Sequence, residues 1–166
     1  MLKLAVCALL ATSIAVPGPV TQATLRTDEQ PADTLIVLQL GACERHCPVY
    51  RLAIFADGST LFEGRYYVRR AGVVRGRISL ESLAQLLAEA DALQFFKLKD
   101  RYVPGDPGSD CAAAKSDGPT AVLTISARGR AKTVQHYRGC AGTDPERLTK
   151  FENGIAEAAN VTKWIR

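Results

Sequence analysis

The sequence lacks the short motifs that are typical of common enzyme classes. It contains no G-x-S-x-G nucleophile turn, no H-E-x-x-H zinc motif, no phosphate-binding glycine loop and no dinucleotide-binding glycine pattern. Histidine is scarce, with two residues in 166, and no catalytic nucleophile–base pair is evident. The sequence therefore gives little support for an enzyme and none for a cofactor, although carboxylates that folding brings together stay open as an alternative.

Strong charge and long apolar runs are also missing. The formal net charge is +4, which alone does not indicate a nucleic-acid partner. The uncharged run at residues 4–16 is 13 residues long, whereas a membrane-spanning helix needs about 20. We therefore predict no membrane span in the mature chain. With 47% apolar residues, the chain can build the core of a single domain.

The first 23 residues have the layout of a secretory signal peptide. Lys3 precedes the uncharged run, Pro17-Gly18-Pro19 ends it, and Ala23 is a small residue at a suitable cleavage position. We predict an exported chain, periplasmic or extracellular after cleavage. A membrane anchor is the less favoured alternative, and a lipoprotein site at Cys7 is rejected because a bulky valine precedes that cysteine.

Five cysteines are present, and Cys7 falls within the predicted signal peptide. The remaining four are an even number in an exported chain, which predicts two disulfides and allows three pairings. Residues four positions apart on an extended strand are about 13 Å apart, so a Cys43–Cys47 disulfide would require a turn. We favour that pair together with Cys111–Cys140, which would close a loop of about 30 residues.

Residues 24–33 are polar and predict a flexible lead, and residues 34–166 are predicted to form one α+β domain. We expect an antiparallel sheet built from hairpins with two helices packed on one face. One hairpin is predicted at Asp57-Gly58, because both turn residues can adopt a positive φ, and a second at Arg128-Gly129. The predicted strands are residues 35–40, 51–56, 59–68, 73–78, 120–126 and 130–137.

Two stretches predict helices. Ser79 is expected to cap the first helix, and Asp144 the second, with Pro145 at its first position. Residues 101–119 form a long loop that Cys111 is expected to tether. The expected buried residues are Leu80, Leu83, Leu86, Leu87, Ala90 and Leu93 in the first helix and Leu148, Phe151, Ile155 and Ala158 in the second. Trp164 and Ile165 are expected to pack back on the body.

Three sets of residues are candidate sites. A basic stripe for phosphate or anionic lipid is predicted from Arg65, Arg69, Arg70, Arg75 and Arg77, against the alternative of a solvated sheet face. A metal site, weighed as an alternative that needs reduced thiols, would use Cys43, His46, Cys47, His136 and Cys140. A thiol-redox pair at Cys43 and Cys47 is a further alternative. We interpret both histidines as lone exposed residues.

Specific motifs make the sequence resemble a known family. They are Cys43-x3-Cys47-Pro48-Val49-Tyr50, Ile54-x2-Asp57-Gly58, Glu63-Gly64, Phe95-Phe96-x-Leu98-x-Asp100-x-Tyr102, Lys132-Thr133-Val134-x-His136-Tyr137-x-Gly139-Cys140 and Trp164. Together they resemble the bacterial domain-of-unknown-function family 6438 over residues 34–166. The resemblance implies a recurrent exported or envelope-associated module without an established activity. It also implies an acidic residue, Asp110 or Asp117, before the second hairpin.

The sequence therefore favours an exported, disulfide-stapled module that binds or scaffolds in the bacterial envelope. An envelope protein or an anionic surface is the expected kind of partner. A thiol-redox or metal site centred on Cys43, His46 and Cys47 is the alternative function.

Overall fold

A computed structural model describes residues 35–165. The predicted signal peptide, residues 1–23, and the predicted lead, residues 24–33, lie outside the described residues. The elements in chain order are β1 Leu35–Leu40, β2 Val49–Phe55, β3 Ser59–Tyr66, β4 Gly72–Arg77, α1 Leu80–Ala92, a 3-10 turn Phe95–Lys97, β5 Arg101–Tyr102, β6 Ala113–Ala114, β7 Thr120–Ala127, β8 Arg130–Tyr137, β9 Cys140–Ala141, α2 Thr143–Ala158 and α3 Thr162–Ile165.

Seven strands form one sheet in the order β4-β3-β2-β1-β7-β8-β5. All neighbouring pairs in it are antiparallel except β5 and β8, which run parallel and pair Tyr102 with His136. Strands β6 and β9 form a separate two-stranded sheet. The predicted α+β class with a hairpin-built antiparallel sheet is confirmed, and the short parallel pair is an addition to it.

The sheet buries one of its two faces under the helices. Successive side chains of a strand point to opposite faces, and Leu38, Leu52 and Leu123, which are partners across β2, β1 and β7, point toward the helices. They belong to one apolar core that also contains Leu86 of α1 and Ile155 of α2. Both helices therefore pack on the same face, as predicted. The alternate side chains of these strands form the opposite face, which we call the open face.

Helix α1 begins where the sequence predicts. The Ser79 hydroxyl accepts a hydrogen bond from the Ser82 amide at 3.0 Å, which satisfies one of the free donors of the first turn. Leu83, Leu86 and Ala90 are buried, but Leu80 is 54% exposed. The apolar stripe therefore begins one turn later than predicted.

The start of α2 differs from the prediction. The helix begins at Thr143 after Gly142, so Asp144 is inside the helix and is not its N-cap. The Asp144 carboxylate accepts a hydrogen bond from the Tyr102 hydroxyl at 3.1 Å. The aspartate therefore makes a tertiary contact across 42 residues, which a capping rule cannot reveal. Ala158, predicted as buried, is half-buried.

The two predicted hairpins are present but their turns differ. Arg128-Gly129 forms a two-residue turn with positive φ at both positions, a twist that suits paired strands. At Asp57-Gly58 only the glycine has a positive φ, and its amide donates to the Phe55 carbonyl at 2.9 Å. A Cβ on Gly58 would lie 2.6 Å from the Ile78 carbonyl oxygen, so both backbone angle and space require glycine there.

Both favoured disulfides are present. Cys43–Cys47 joins Cα atoms 5.6 Å apart in a bend between β1 and β2, and Cys111–Cys140 joins Cα atoms 5.0 Å apart. The second disulfide ties the loop of residues 101–119 to β9, as predicted. The Tyr137 hydroxyl adds two hydrogen bonds to that loop, donating to the Lys115 carbonyl at 2.8 Å and accepting from the Gly118 amide at 2.9 Å.

The C-terminal segment closes one end of the core. The Trp164 ring lies 4.9 Å from the ring of Phe62, measured between centroids. The backbone carbonyl oxygen of Trp164 accepts a hydrogen bond from the Arg70 amide at 3.1 Å, so α3 supports the turn between β3 and β4. The predicted packing of Trp164 and Ile165 on the body is confirmed.

Loop length predicts that the two disulfides contribute unequally to stability. Replacing Cys111 and Cys140 by serine should lower the free energy of unfolding by about 3–4 kcal/mol, and replacing Cys43 and Cys47 by about 2 kcal/mol, because the larger loop restricts the unfolded chain more. Urea unfolding of the oxidised variants measures both values. Equal losses, or a larger loss for the short loop, would contradict this account.

Candidate functional site

A buried ionic cluster lies between α2 and the sheet. Nδ1 of His136 is 3.1 Å from Oε1 of Glu152 in a hydrogen bond, and Nε of Arg138 is 3.2 Å from Oε2. The Arg138 N–H does not point at that oxygen, so this second contact is an ion pair without a hydrogen bond. Arg138 also donates to the side-chain oxygen of Asn153. His136 and Glu152 are 0% and 1% exposed.

The prediction that His136 is exposed is therefore wrong, whereas His46 is exposed as predicted. His136 has the same parity as Val134 on β8, and that parity faces the helices. Across the sheet it stands in one row with Leu40, Ala121 and Tyr102. The alternation of β8 could have revealed this position, because the side chain two residues before the histidine is apolar.

Glu152 is the member of the cluster that the sequence analysis missed. It lies on the stripe of α2 that also carries Leu148, Phe151 and Ile155, where an apolar residue is expected. An acidic residue at such a position indicates a buried partner, because an unpaired buried carboxylate is strongly unfavourable. The sequence therefore contains a sign that Glu152 is buried with a partner, but the identity of that partner follows only from the placement of the strands.

The cluster also affects a neighbouring tyrosine. Burial raises the pKa of Tyr50 to about 12, with the Arg138 guanidinium opposing the rise and the Glu152 carboxylate adding to it. A substrate has no route to His136 or Glu152 at these exposures, so the arrangement is suited to fixing α2 on the sheet.

The structure does not bring the five predicted metal ligands together. All four cysteine sulfurs are in disulfides, His46 packs on Tyr67 with ring centroids 4.9 Å apart, and His136 binds Glu152. Among residues 35–165 no group of three or more potential ligands is placed to hold a metal ion. Strand β2 follows Cys47, so no helix N-terminus is there to lower a thiol pKa.

The five predicted arginines lie in one hairpin but on two different surfaces of that hairpin. Arg75 and Arg77 pair with Leu61 and Ser59 on the open face, and Arg65 is the extra residue of a β-bulge in β3. Arg69 and Arg70 lie in the turn between β3 and β4. All five side chains are exposed. The set is therefore an extended basic surface at the edge of the sheet and not a single stripe.

Few acidic side chains balance these arginines. Arg65 pairs with Glu63 at 3.2 Å, and Arg77 pairs with Asp57 at 3.5 Å. Within the part of the chain that the structure describes, the other three arginines have no acidic partner. Exposed pairs of this kind contribute only about 0–1 kcal/mol, so they leave most of the charge free to meet another molecule.

The net charge of the chain is concentrated in the segment Ser59–Arg77, which we call the basic hairpin. The chain has 21 lysines and arginines and 17 acidic residues. Five of those bases and one of those acids, Glu63, lie in the basic hairpin, which leaves 16 of each sign elsewhere. One hairpin therefore accounts for the whole formal charge of +4.

A groove of about 710 Å³ separates α1 from α2. Its charged walls mix Glu89 and Glu157 with Arg147 and Lys150. Arg147 is already engaged, donating to the Ala92 carbonyl at 3.0 Å. The mixed charges do not favour one ligand chemistry.

The fold and these sites define an α+β domain held by two disulfides, with a closed ionic cluster and an exposed basic hairpin. Residues 34–159 match the family described as "Domain of unknown function (DUF6438)". The chain belongs to that family, as its motifs imply. No curated protein matches the chain. No helix within residues 35–165 is long and apolar enough to cross a membrane.

Neutralising Glu152 should destabilise the protein. In Glu152→Gln the amide can still bond to His136 but leaves Arg138 without its counter-charge, and we expect a loss of about 3–5 kcal/mol. Glu157→Gln is the matched control, since it removes an exposed carboxylate from the same helix and should change stability by about 0.5 kcal/mol or less. Chemical denaturation measures both. Similar small effects from the two variants would show that the cluster is not structural.

Proposed function

We propose that this chain is an exported, disulfide-held binding module of the bacterial envelope, which contacts an anionic partner through the basic hairpin. The observation that carries this proposal is the concentration of the formal charge of +4 in Ser59–Arg77. A protein that needed charge only for solubility would distribute it over its surface. Here the remainder of the chain is balanced.

The chemistry of the hairpin suits anion binding. A guanidinium keeps its charge at every physiological pH and can donate two parallel hydrogen bonds to a phosphate or carboxylate. Arg69, Arg70 and Arg75 are exposed and have no acidic partner among residues 35–165, so binding an anion would not first break an ion pair. Such binding should weaken with salt, because screening is effective at exposed sites.

Two features support an exported, non-catalytic role. Disulfides persist in oxidising compartments, and all four cysteines of the described chain are paired. The buried histidine and glutamate are closed to solvent and therefore do not resemble a reaction centre. The alternative of a thiol-redox or metal site at Cys43, His46 and Cys47 gains no support from this geometry, because both sulfurs are bonded to each other.

Export can be measured directly on the full chain. Expressed in a bacterium, it should yield an envelope or secreted protein that begins near Thr24 and has no thiol that alkylates without reductant, because both disulfides form after translocation. Intact-mass spectrometry reads the N-terminus and the thiols together. A chain that keeps residues 1–23, stays in the cytosol and carries free thiols would refute the exported role.

Anion binding by the hairpin should depend on where charge is removed. Arg69→Gln/Arg70→Gln should weaken binding to labelled polyglutamate at low salt by roughly fivefold per arginine. The control Lys97→Gln/Lys150→Gln removes the same charge from two exposed positions outside the hairpin and should have a much smaller effect. Fluorescence anisotropy measures both affinities. Equal effects would mean that only net charge matters, and no binding by the parent protein would refute the proposal.

A further inference from the structure

The turn between β3 and β4 gathers exposed apolar side chains. Five large apolar residues are exposed in the part of the chain that the structure describes, and three of them lie at this end of the basic hairpin. They are Tyr66, Tyr67 and Val73, which are 68%, 56% and 56% exposed. We call these three residues and His46 the exposed corner. Single exposed apolar residues are common on proteins, but a cluster indicates an interaction surface.

The backbone at Tyr67 is in a conformation that its side chain does not favour. Its φ is 53°, in the left-handed region that glycine and asparagine adopt readily and bulky residues adopt rarely. A turn selected only for folding would favour glycine or asparagine here. The chain places a tyrosine at this position and leaves it 56% exposed, so burial in the core does not account for the ring.

The corner is held in place before any partner arrives. The His46 ring meets the Tyr67 ring edge to face, at 87° between their planes, and the Cys43–Cys47 disulfide fixes the bend that carries His46. The Arg70 amide donates to the Trp164 carbonyl, which anchors the other side of the turn. A surface that is ordered in advance loses little conformational entropy on binding.

The composition of the corner matches the surface of a charged bilayer. Tyrosine rings have an apolar body and a polar tip, and they concentrate at the headgroup level of membranes. Arg69 and Arg70 lie in the same turn, and arginines near a membrane are attracted to anionic lipids. The turn joins β3 to β4 at one end of the sheet, and none of its residues lines the groove between α1 and α2. Exposed rings and arginines at a sheet edge suit a flat, extended partner better than a small free anion.

We propose that the exposed corner, together with Arg69 and Arg70, is where this protein rests on an anionic phospholipid surface. This inference depends on the proposed function and specifies its partner class. The rings would enter the headgroup region while the arginines contact lipid phosphates. Both the rings and the arginines are needed for this preference, because charge alone would attract any polyanion equally.

The test compares vesicles of phosphatidylcholine with vesicles that also contain phosphatidylglycerol. The oxidised protein should co-sediment with the anionic vesicles, less so at high salt, and not with phosphatidylcholine alone. Tyr67→Asn should weaken vesicle binding roughly tenfold, because the ring no longer enters the interface. Its melting temperature should not fall, since asparagine accepts the left-handed backbone.

Two further variants make the result decisive. Phe55→Asn removes a 40% exposed ring from the far end of β2 and should leave vesicle binding unchanged. Tyr66→Ser removes the second ring of the corner without touching the strained position, and it should also weaken binding. It stands in for Tyr67→Asn if that variant does not fold. Polyglutamate binding should be the same for all three variants, because it depends on charge.

Distinct results overturn the inference and the function on which it rests. If vesicles are not bound but polyglutamate is, the lipid partner is wrong, the basic hairpin keeps its proposed role, and an acidic polypeptide becomes the partner class. If neither is bound, both proposals fail. Vesicle binding that is unaffected by the tyrosine variants, or equally weakened by Phe55→Asn, would also overturn the assignment of the corner.

Discussion

The pairing of β1 on both of its sides is the constraint on which the rest of the structure depends. Six residue pairs join it to β2 and six join it to β7, so the N-terminal strand becomes the centre of the sheet. Its partners on β7 are distant in sequence, from Leu40 with Ala121 to Leu35 with Ser126. This pairing joins the two hairpins into one sheet whose buried side chains share a core with both helices. It also places Leu40 and Ala121 in one row with His136, which Glu152 contacts.

Local sequence patterns predicted most of the fold and little of the site. The Ser79 cap and the alternation of the strands depend on neighbours in sequence, and the pairing of the cysteines depends on general chemistry. These features can therefore be predicted from the sequence. Asp144 and His136 were misjudged because their partners, Tyr102 and Glu152, come from other elements. A polar residue reveals its partner only when the strands have been placed, whereas an apolar residue needs only the correct face.

The basic hairpin illustrates a different limit. Its five arginines are visible in the sequence, and Arg69 and Arg70 fall between the predicted strands 59–68 and 73–78. The face that Arg75 and Arg77 occupy follows only from the pairing of β3 with β4. The positive φ of Tyr67 has no sequence signature, since tyrosine is an ordinary residue in a strand. The interior and this surface therefore differ in the arrangement of their charges. The charged side chains of the buried cluster are paired and shielded from solvent, whereas those at the edge of the sheet are exposed.

Strand β4 forms one end of the seven-stranded sheet, and this position gives its arginines a second consequence. An edge strand offers backbone donors and acceptors to any other extended chain, and proteins commonly protect such edges with charged side chains. Arg75 and Arg77 give β4 like charges, which would oppose its pairing with the β4 strand of another copy. The charge that would bring the protein to a surface would thus also keep its copies from joining edge to edge when they are crowded there.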